Sequence, residues 1–468
     1  MKNNSIIRMK SLRLNNFKNV ANGLVSVDEE PYNNGSYDHA DVLGIYGQNG
    51  SGKTAVVDAL YFIQRLLRGE KLSDNNDEFE DYMSGGAEES SITVNLSIYG
   101  AENIRTDVIY FVTVKRVNGK TVISRETLSR ARSGEGIKAI MAPCVSFDID
   151  QDNELFTPQI RLQELVKSNK NKKTDLMVAK KLAAINGTSY IFSEESFKVF
   201  TDEVGTDFEE YATIIKELKI YAIRNLFVIR NVHSGYISAK MMLPIAFKYE
   251  TENVGKKGDL PILFFEPIAL KQEDVELLKK LIDQINIVLE TIIPEMRLGL
   301  REYGEQLLDD GNRGFKVEMT SIRKGSTEIP IRMESEGIIK IISILNALIQ
   351  AFSNHSVCLV VDELDAGIFE YLLGELLNIF SENAHGQLIF TSHNLRALEL
   401  LDKDSIMFST ANPENRYIRF KSVKSTNNFR KMYLRVIGLG GQEEQVYEET
   451  NSIKIARAFR KAGKSVRK

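Results

Sequence analysis

The octet Gly47-Gln48-Asn49-Gly50-Ser51-Gly52-Lys53-Thr54 constrains this 468-residue chain more than any other stretch. It fits the pattern G-x-x-x-x-G-K-[ST], in which glycines let backbone N–H groups close around phosphates. Its flanks supply the geometry such a loop needs. Asp41-Val42-Leu43-Gly44-Ile45-Tyr46 reads as a short buried strand, and Ala55 to Arg68 reads as a helix with Val56, Leu60, Ile63 and Leu67 on one stripe. The helix N-terminus adds a positive dipole end. Lys53 would neutralise the β- and γ-phosphates of a bound nucleotide, and Thr54 would offer its hydroxyl to Mg2+. Together loop and flanks predict nucleotide binding.

Composition narrows the remaining classes. The net charge is −4, so any contact with nucleic acid must come from local patches. Hydrophobic residues make up 43% and charged residues 26%, the balance of a globular protein with a sizeable core. Cys144 and Cys358 lie far apart, which excludes a disulfide framework or a cysteine-based zinc site and suits a reducing cytoplasm. The first residues lack a continuous apolar run, so no signal peptide is expected. No stretch approaches the ~18 consecutive apolar residues of a membrane span.

Three regions are expected. Residues 1–150 hold the phosphate loop and a β lobe: Ile6 to Val27, Ser91 to Tyr99, Val108 to Val117 and Thr121 to Ser124 read as strands, and Asp74 to Ser90 as an exposed acidic connection. Residues 151–294 read as a mainly helical insertion, with helices in Gln159 to Arg224 and another from Asp274 to Ile293, stopped by Pro294. Residues 295–468 return to strands at Met296 to Arg301, Gly314 to Ile322 and Glu328 to Met333, and end in a basic tail. No internal repeat and no long heptad array is present.

Val357-Cys358-Leu359-Val360-Val361-Asp362-Glu363 is an apolar run ending in two acids, the pattern of a buried parallel strand with chemistry at its C-terminal end. Asp362 would hold Mg2+, and Glu363 would orient or deprotonate an attacking water. Gln387 to Asn394 is a second buried-looking strand ending at His393, a residue able to sense a γ-phosphate while staying near neutral. Upstream, Ser335 and Gly337 open a helix. Ser335 suits a plain N-cap, and it equally suits a phosphate contact at a helix N-terminus.

In order, these segments are a Walker A loop (Gly47 to Thr54), a Ser-x-Gly-x-x-Lys signature (Ser335 to Lys340), a Walker B strand (Val357 to Glu363), a D-loop (Leu364 to Gly367) and an H-loop (Ser392-His393). The set resembles ABC-type ATPases of the SMC/RecF/OLD-like branch, and the opening strand with Phe17-Lys18 is similar to that branch's first strand. The resemblance implies an α/β P-loop NTPase of ABC-ATPase type with a mixed sheet, an antiparallel β lobe and a helical insertion. It implies ATP and Mg2+ as ligands, and a homodimer or higher homo-oligomer in which Ser335, Gly337 and Lys340 of one copy complete the site around Lys53 of the other. Catalysis would fall to Glu363 and His393, with Thr54 and Asp362 at the metal. The expected role is the sensor or regulatory ATPase of a bacterial anti-phage system, partnered by a nuclease or toxin effector in the cytoplasm. The alternative is a RecF-like DNA-repair ATPase that binds DNA directly. A transporter subunit fits poorly.

Two departures stand out. The signature reads Glu-Ser-Glu-Gly where the family has Leu-Ser-Gly-Gly, and the Q-loop glutamine could be Gln151, Gln159 or Gln163. Lys167 to Lys173, Lys180-Lys181 and the tail residues Lys454, Arg457, Arg460, Lys461, Lys464, Arg467 and Lys468 are basic patches, either solvated faces or phosphate-backbone contacts. Lys421 to Arg435, with Phe429 and Tyr433, is either a further such patch or a closing strand of the core.

Overall fold

Period-2 alternation builds the first sheet. The computed structural model describes residues 5–27, 40–72, 82–100, 104–117, 120–134, 139–151, 154–250, 255–308, 311–420, 429–439, 444–448 and 451–465. Ile6–Phe17 (β1) and Val20–Ser26 (β2) form an antiparallel hairpin. In β1 the buried set switches from Ile7 and Met9 to Leu12 and Leu14. A register shift between Met9 and Ser11 causes the switch, since one extra residue flips the facing of every later side chain. Asp41–Tyr46 (β3) and Lys53–Arg68 (α1) carry the phosphate loop. Glu89–Tyr99 (β4), Arg105–Val117 (β5), Lys120–Ser133 (β6) and Ala142–Asp148 (β7) then complete a six-stranded antiparallel sheet, ordered β2-β1-β4-β5-β6-β7.

Helices Gln159–Ser168 (α2), Lys172–Asn186 (α3), Glu194–Thr201 (α4) and Glu209–Arg224 (α5) pack against this lobe. Leu226–Ile229 (β8), Asn231–Ser238 (α6), Met242–Glu250 (β9), Gly255–Leu263 (β10), Ile268–Lys271 (β11) and Gln272–Ile292 (α7) follow. Segment 151–294 is therefore less helical than expected. Its β8 is an edge strand of the central sheet, paired in parallel with the Walker B strand.

Met296–Leu307 (β12), Arg313–Arg323 (β13) and Ile329–Pro330 (β14) make a small antiparallel sheet with β11. The strand expected over Glu328 to Met333 shrinks to β14 followed by a 3-10 turn. Glu336–Ser353 (α8), Cys358–Val361 (β15), Glu370–Asn383 (α9), Gln387–Thr391 (β16), Ala397–Leu400 (α10), Ile406–Ser409 (β17) and Tyr417–Ile418 (β18) finish the core around the central sheet. Of Lys421 to Arg435, residues 421–428 lie outside the described ones and the rest belongs to a helix, Phe429–Leu439 (α11), not a strand. Of Asp74 to Ser90, expected as an exposed connection, residues 74–81 lie outside them too, Tyr82 and Met83 are buried, and Glu89 and Ser90 join β4. Ser452–Ser465 (α12) ends the described chain, leaving out Arg467 and Lys468.

The central sheet runs β18-β17-β3-β16-β15-β8, parallel except for β18. Helix α1 lies between it and the antiparallel sheet, which is why residues on all its sides are buried. Buried polar groups stitch the two sheets. Gln387 Nε2 donates to Met9 O and to Asp41 Oδ2, both at 2.8 Å, while its Oε1 accepts from Met9 N at 2.7 Å. The fully buried Arg8 pairs with Asp41 at 2.8 Å and donates to His355 O at 2.7 Å. Among the described residues α8 alone is long and apolar enough to cross a membrane, though polar residues interrupt it; its apolar residues pack into two core clusters.

Candidate functional site

The phosphate loop is held from behind by β17 and β18. A Cβ on Gly47 would lie 2.0 Å from Ser409 Oγ and 2.9 Å from Ser409 O, so only glycine allows this approach. Ser51 Oγ donates to Gln48 O at 2.6 Å and lies 2.5 Å from Ser409 Oγ, and Tyr417 Oη donates to Gly52 O at 2.7 Å. Gly52, at φ +90°, is the N-cap of α1 and turns the chain so that the following N–H groups face the cavity. Lys53 Nζ donates to Gly47 O at 2.9 Å and Gln48 O at 3.0 Å. Burial pushes its pKa down, opposed by the carboxylates of Asp362, Glu363 and Asp365. A mostly desolvated ammonium resting on carbonyls suits a phosphate.

Parallel pairing carries the other groups to the same edge. β16 lies between β3 and β15, so the C-terminal ends of all three strands converge on the loop. Thr391 at the end of β16 organises both acids: its Oγ1 donates to Asp362 Oδ1 at 2.6 Å and accepts from Glu363 N at 2.7 Å. Thr54 Oγ1 lies 3.4 Å from Asp362 Oδ1. Glu363 sits at φ +49°, a left-handed conformation that a non-glycine residue adopts only when its surroundings hold it there. Here two backbone N–H groups, those of Glu363 and Leu364, are tied to Thr391.

The residues present fit a divalent cation. Asp362 is 1% exposed, and its Oδ2 is buried without a hydrogen-bond partner among the described residues. A buried lone carboxylate oxygen beside a threonine hydroxyl is costly unless a cation or its water meets it. Thr54 and Asp362 would hold Mg2+, which would neutralise phosphate charge there.

The cavity at this edge is about 470 Å3, lined among others by Lys18, Asn19, Lys53, Thr54, Glu363 and His393. His393 is exposed on its rim, and its backbone N–H donates to Asp365 Oδ2 at 3.0 Å. Partial burial and the nearby Lys53 charge lower its pKa, keeping the imidazole neutral. Gln151, Gln159 and Gln163 do not line the cavity.

The three signature residues part company. Ser335 is the exposed N-cap residue of α8, as the plain reading has it, but its hydroxyl makes no capping hydrogen bond. Gly337 packs on the D-loop, where a Cβ would lie 1.9 Å from Gly367 O. Lys340, expected to reach a partner's nucleotide, is 5% exposed and donates to Glu363 O of its own chain. Its place one helical turn beyond Gly337 turns it inward, toward the acids Asp365, Glu363 and Asp362. Neither Ser335 nor Gly337 lines the cavity of its own chain.

Four further residues were not anticipated as site residues. Lys18 Nζ pairs with Asp58 of α1, Asn19 Nδ2 donates to Gly50 O, and Arg230 Nη1 stands 3.7 Å from Asp58 Oδ1 and donates to Tyr82 Oη at 3.0 Å. Only Lys18 carried a signal, through the Phe17-Lys18 pair.

A mostly parallel sheet with a phosphate loop after its central strand β3 and paired acids after β15, two strands away, defines a P-loop ATPase of ABC type. The AAA domain family model AAA_23 matches residues 11–293, and the chain belongs to that family. No curated protein matches it. Among solved structures it is similar to the Smc head domain with an extended coiled coil bound to the C-terminal domain of ScpA, from Pyrococcus furiosus, with 12% identity, 92% of this chain and 99% of that one covered, and a TM-score of 0.42. The SMC head domain from Thermotoga maritima gives 13% identity, 88% and 99% coverage, and a TM-score of 0.34. The recombination mediator RecF bound to ATP gives 11% identity, 89% and 100% coverage, and a TM-score of 0.36.

Proposed function

We propose that this protein hydrolyses ATP at a site shared between two copies, so that ATP binding closes a head-to-tail pair and hydrolysis opens it. One observation carries the reading: Ser335 is an exposed, uncapped hydroxyl at a helix N-terminus, outside the nucleotide cavity of its own chain. Its hydroxyl makes no capping hydrogen bond among the described residues, and a second copy's γ-phosphate would give it an acceptor. In this scheme Lys53 and the loop amides bind the triphosphate, Glu363 takes the proton of the attacking water, and neutral His393 donates to the γ-phosphate. Glu336, where the family has glycine, places a carboxylate beside the phosphate position and weakens the closed pair; its Oε2 accepts from Ser238 Oγ at 3.2 Å.

At the level of the assembly, the reading is a regulatory ATPase of an anti-phage defence system that controls a nuclease or toxin partner. The ordered motif set and its resemblance to such ATPases support it.

Complementation tests the shared site. Lys53→Ala and Ser335→Arg should each be inactive alone. Mixed in equal amounts they should recover about a quarter of parent activity, because half the pairs are heterodimers with one of two sites intact. A mixture as inactive as its components would refute a composite site.

A further inference from the structure

We infer that α12 of one copy docks into an apolar groove between α7, α8 and α9 of a second copy, and so clamps the ATP-bound pair. The inference rests on the head-to-tail reading above. Helix α12 is strongly amphipathic: Ile455, Ala458, Phe459 and Ala462 recur at i, i+3, i+4 and i+7, while Lys454, Arg457, Arg460 and Lys461 cover the remaining faces. Its apolar side faces solvent, with Phe459 76% and Ile455 44% exposed. An isolated 14-residue helix of this kind is marginal in water and gains stability by burying that face.

The groove has the complementary character. A cavity of about 410 Å3 is lined by Val288, Leu345, Ile349, Leu364, Ile368 and Ile379 among others, nearly all apolar. Its α9 rim carries Glu375 and Glu382 on the stripe of the half-exposed Ile379, and α9 holds no Lys or Arg. An apolar floor with an acidic rim matches an apolar stripe flanked by four basic residues.

Topology selects the second copy as the occupant's source. The chain just before α12 is anchored on the phosphate loop: Glu448 N donates to Gln48 Oε1 at 2.9 Å, and Val446 is 2% exposed. Two residues then separate Glu448 from Asn451, three steps that reach at most about 11 Å. The groove opens at the other half of the composite site, because Leu364 begins and Ile368 directly follows the D-loop that packs on Gly337. A closed head-to-tail pair sets one copy's Gln48 against the other's signature and D-loop. Helix α12, about 21 Å long, then lies along the partner's groove. Its tether to Gln48 links docking to nucleotide occupancy.

The test uses the full chain in a Glu363→Gln background with Mg–ATP. Phe459→Asp, on an exposed side chain, and the pair Glu375→Lys with Glu382→Lys should each weaken dimerisation by at least about tenfold, the loss expected for one interface anchor. A Phe459→Cys chain mixed with an Ile379→Cys chain should form an ATP-dependent intermolecular disulfide; the native Cys144 and Cys358 are buried. If the Glu363→Gln dimer forms but ignores these changes and no disulfide appears, docking is refuted while the shared site stands. If Glu363→Gln never dimerises with ATP, the shared site fails and takes docking with it. A disulfide found only within single Phe459→Cys/Ile379→Cys chains, or a Phe459→Asp effect confined to DNA affinity, would likewise overturn the inference.

Discussion

Substituting Gly337 probes the joint between the signature helix and the D-loop. A Cβ built there lies 1.9 Å from Gly367 O and 3.0 Å from Gly367 C, both backbone atoms. No side-chain rotation relieves the clash, so the D-loop must retreat by about 1.5 Å to regain ordinary contact. That retreat pulls on Asp365, which accepts from His393 N, and on Glu363, whose carbonyl accepts from Lys340 Nζ. Overpacking of this kind costs about 1–3 kcal/mol, and the upper end applies where backbone must move. Gly337→Ala should therefore lose about 3 kcal/mol in urea unfolding, keep ATP binding at Lys53, and fail to pair when combined with Glu363→Gln. Gly85→Ala, which meets nothing within 4 Å, is the control and should match the parent. A Gly337→Ala protein with the parent's unfolding midpoint and ATP-dependent mass would refute the reasoning.

Other expectations follow from the same geometry. Burial first, then the charges of Glu363 and Asp58, hold the Asp362 carboxyl above its ordinary 3.8, against the Thr391 hydrogen bond. A raised folded pKa gives stability that is complete below about 3.8 and lost as pH rises through the folded value. In EDTA at pH 7, Asp362→Asn should thus melt above the parent, with the gap closing toward pH 4, whereas Mg2+ should raise only the parent; a lower Tm for the variant at pH 7 would contradict this. Gln387→Leu strips partners from Met9 N, Met9 O and Asp41, and should cost about 3 kcal/mol or more by chemical denaturation. Thr391→Val, which frees Asp362 and Glu363 from their shared hydroxyl, should lower the ATPase rate at unchanged ATP affinity. If turnover survives Thr391→Val, the threonine does not position the acids.

What the sequence disclosed was local chemistry tied to strand ends. The phosphate loop, Asp362, Glu363 and His393 each sit where a short apolar run stops, and parallel pairing then brings them together. Less legible were features decided by distant packing. Leu226–Ile229 is four apolar residues after a long helix, and periodicity cannot separate so short a strand from more helix. Lys340 read as a partner-facing group because its spacing matched a motif, but the turn of α8 buries it against the D-loop. Lys421 to Arg435, with Phe429 and Tyr433, read as either a basic patch or a closing strand, but its described part lies in Phe429–Leu439, where Tyr433 and Val436 share one buried helical face. The left-handed Glu363 and the Thr391 bridge depend on three strands meeting, which no single segment encodes.

The most direct test of the central claim is the solution mass of Glu363→Gln by light scattering, with and without Mg–ATP. The 52.9 kDa chain is expected to double its mass with ATP and to return to a single chain when Lys53→Ala is added. A Glu363→Gln protein that binds ATP tightly and stays at the mass of one chain would contradict a site completed by a second copy.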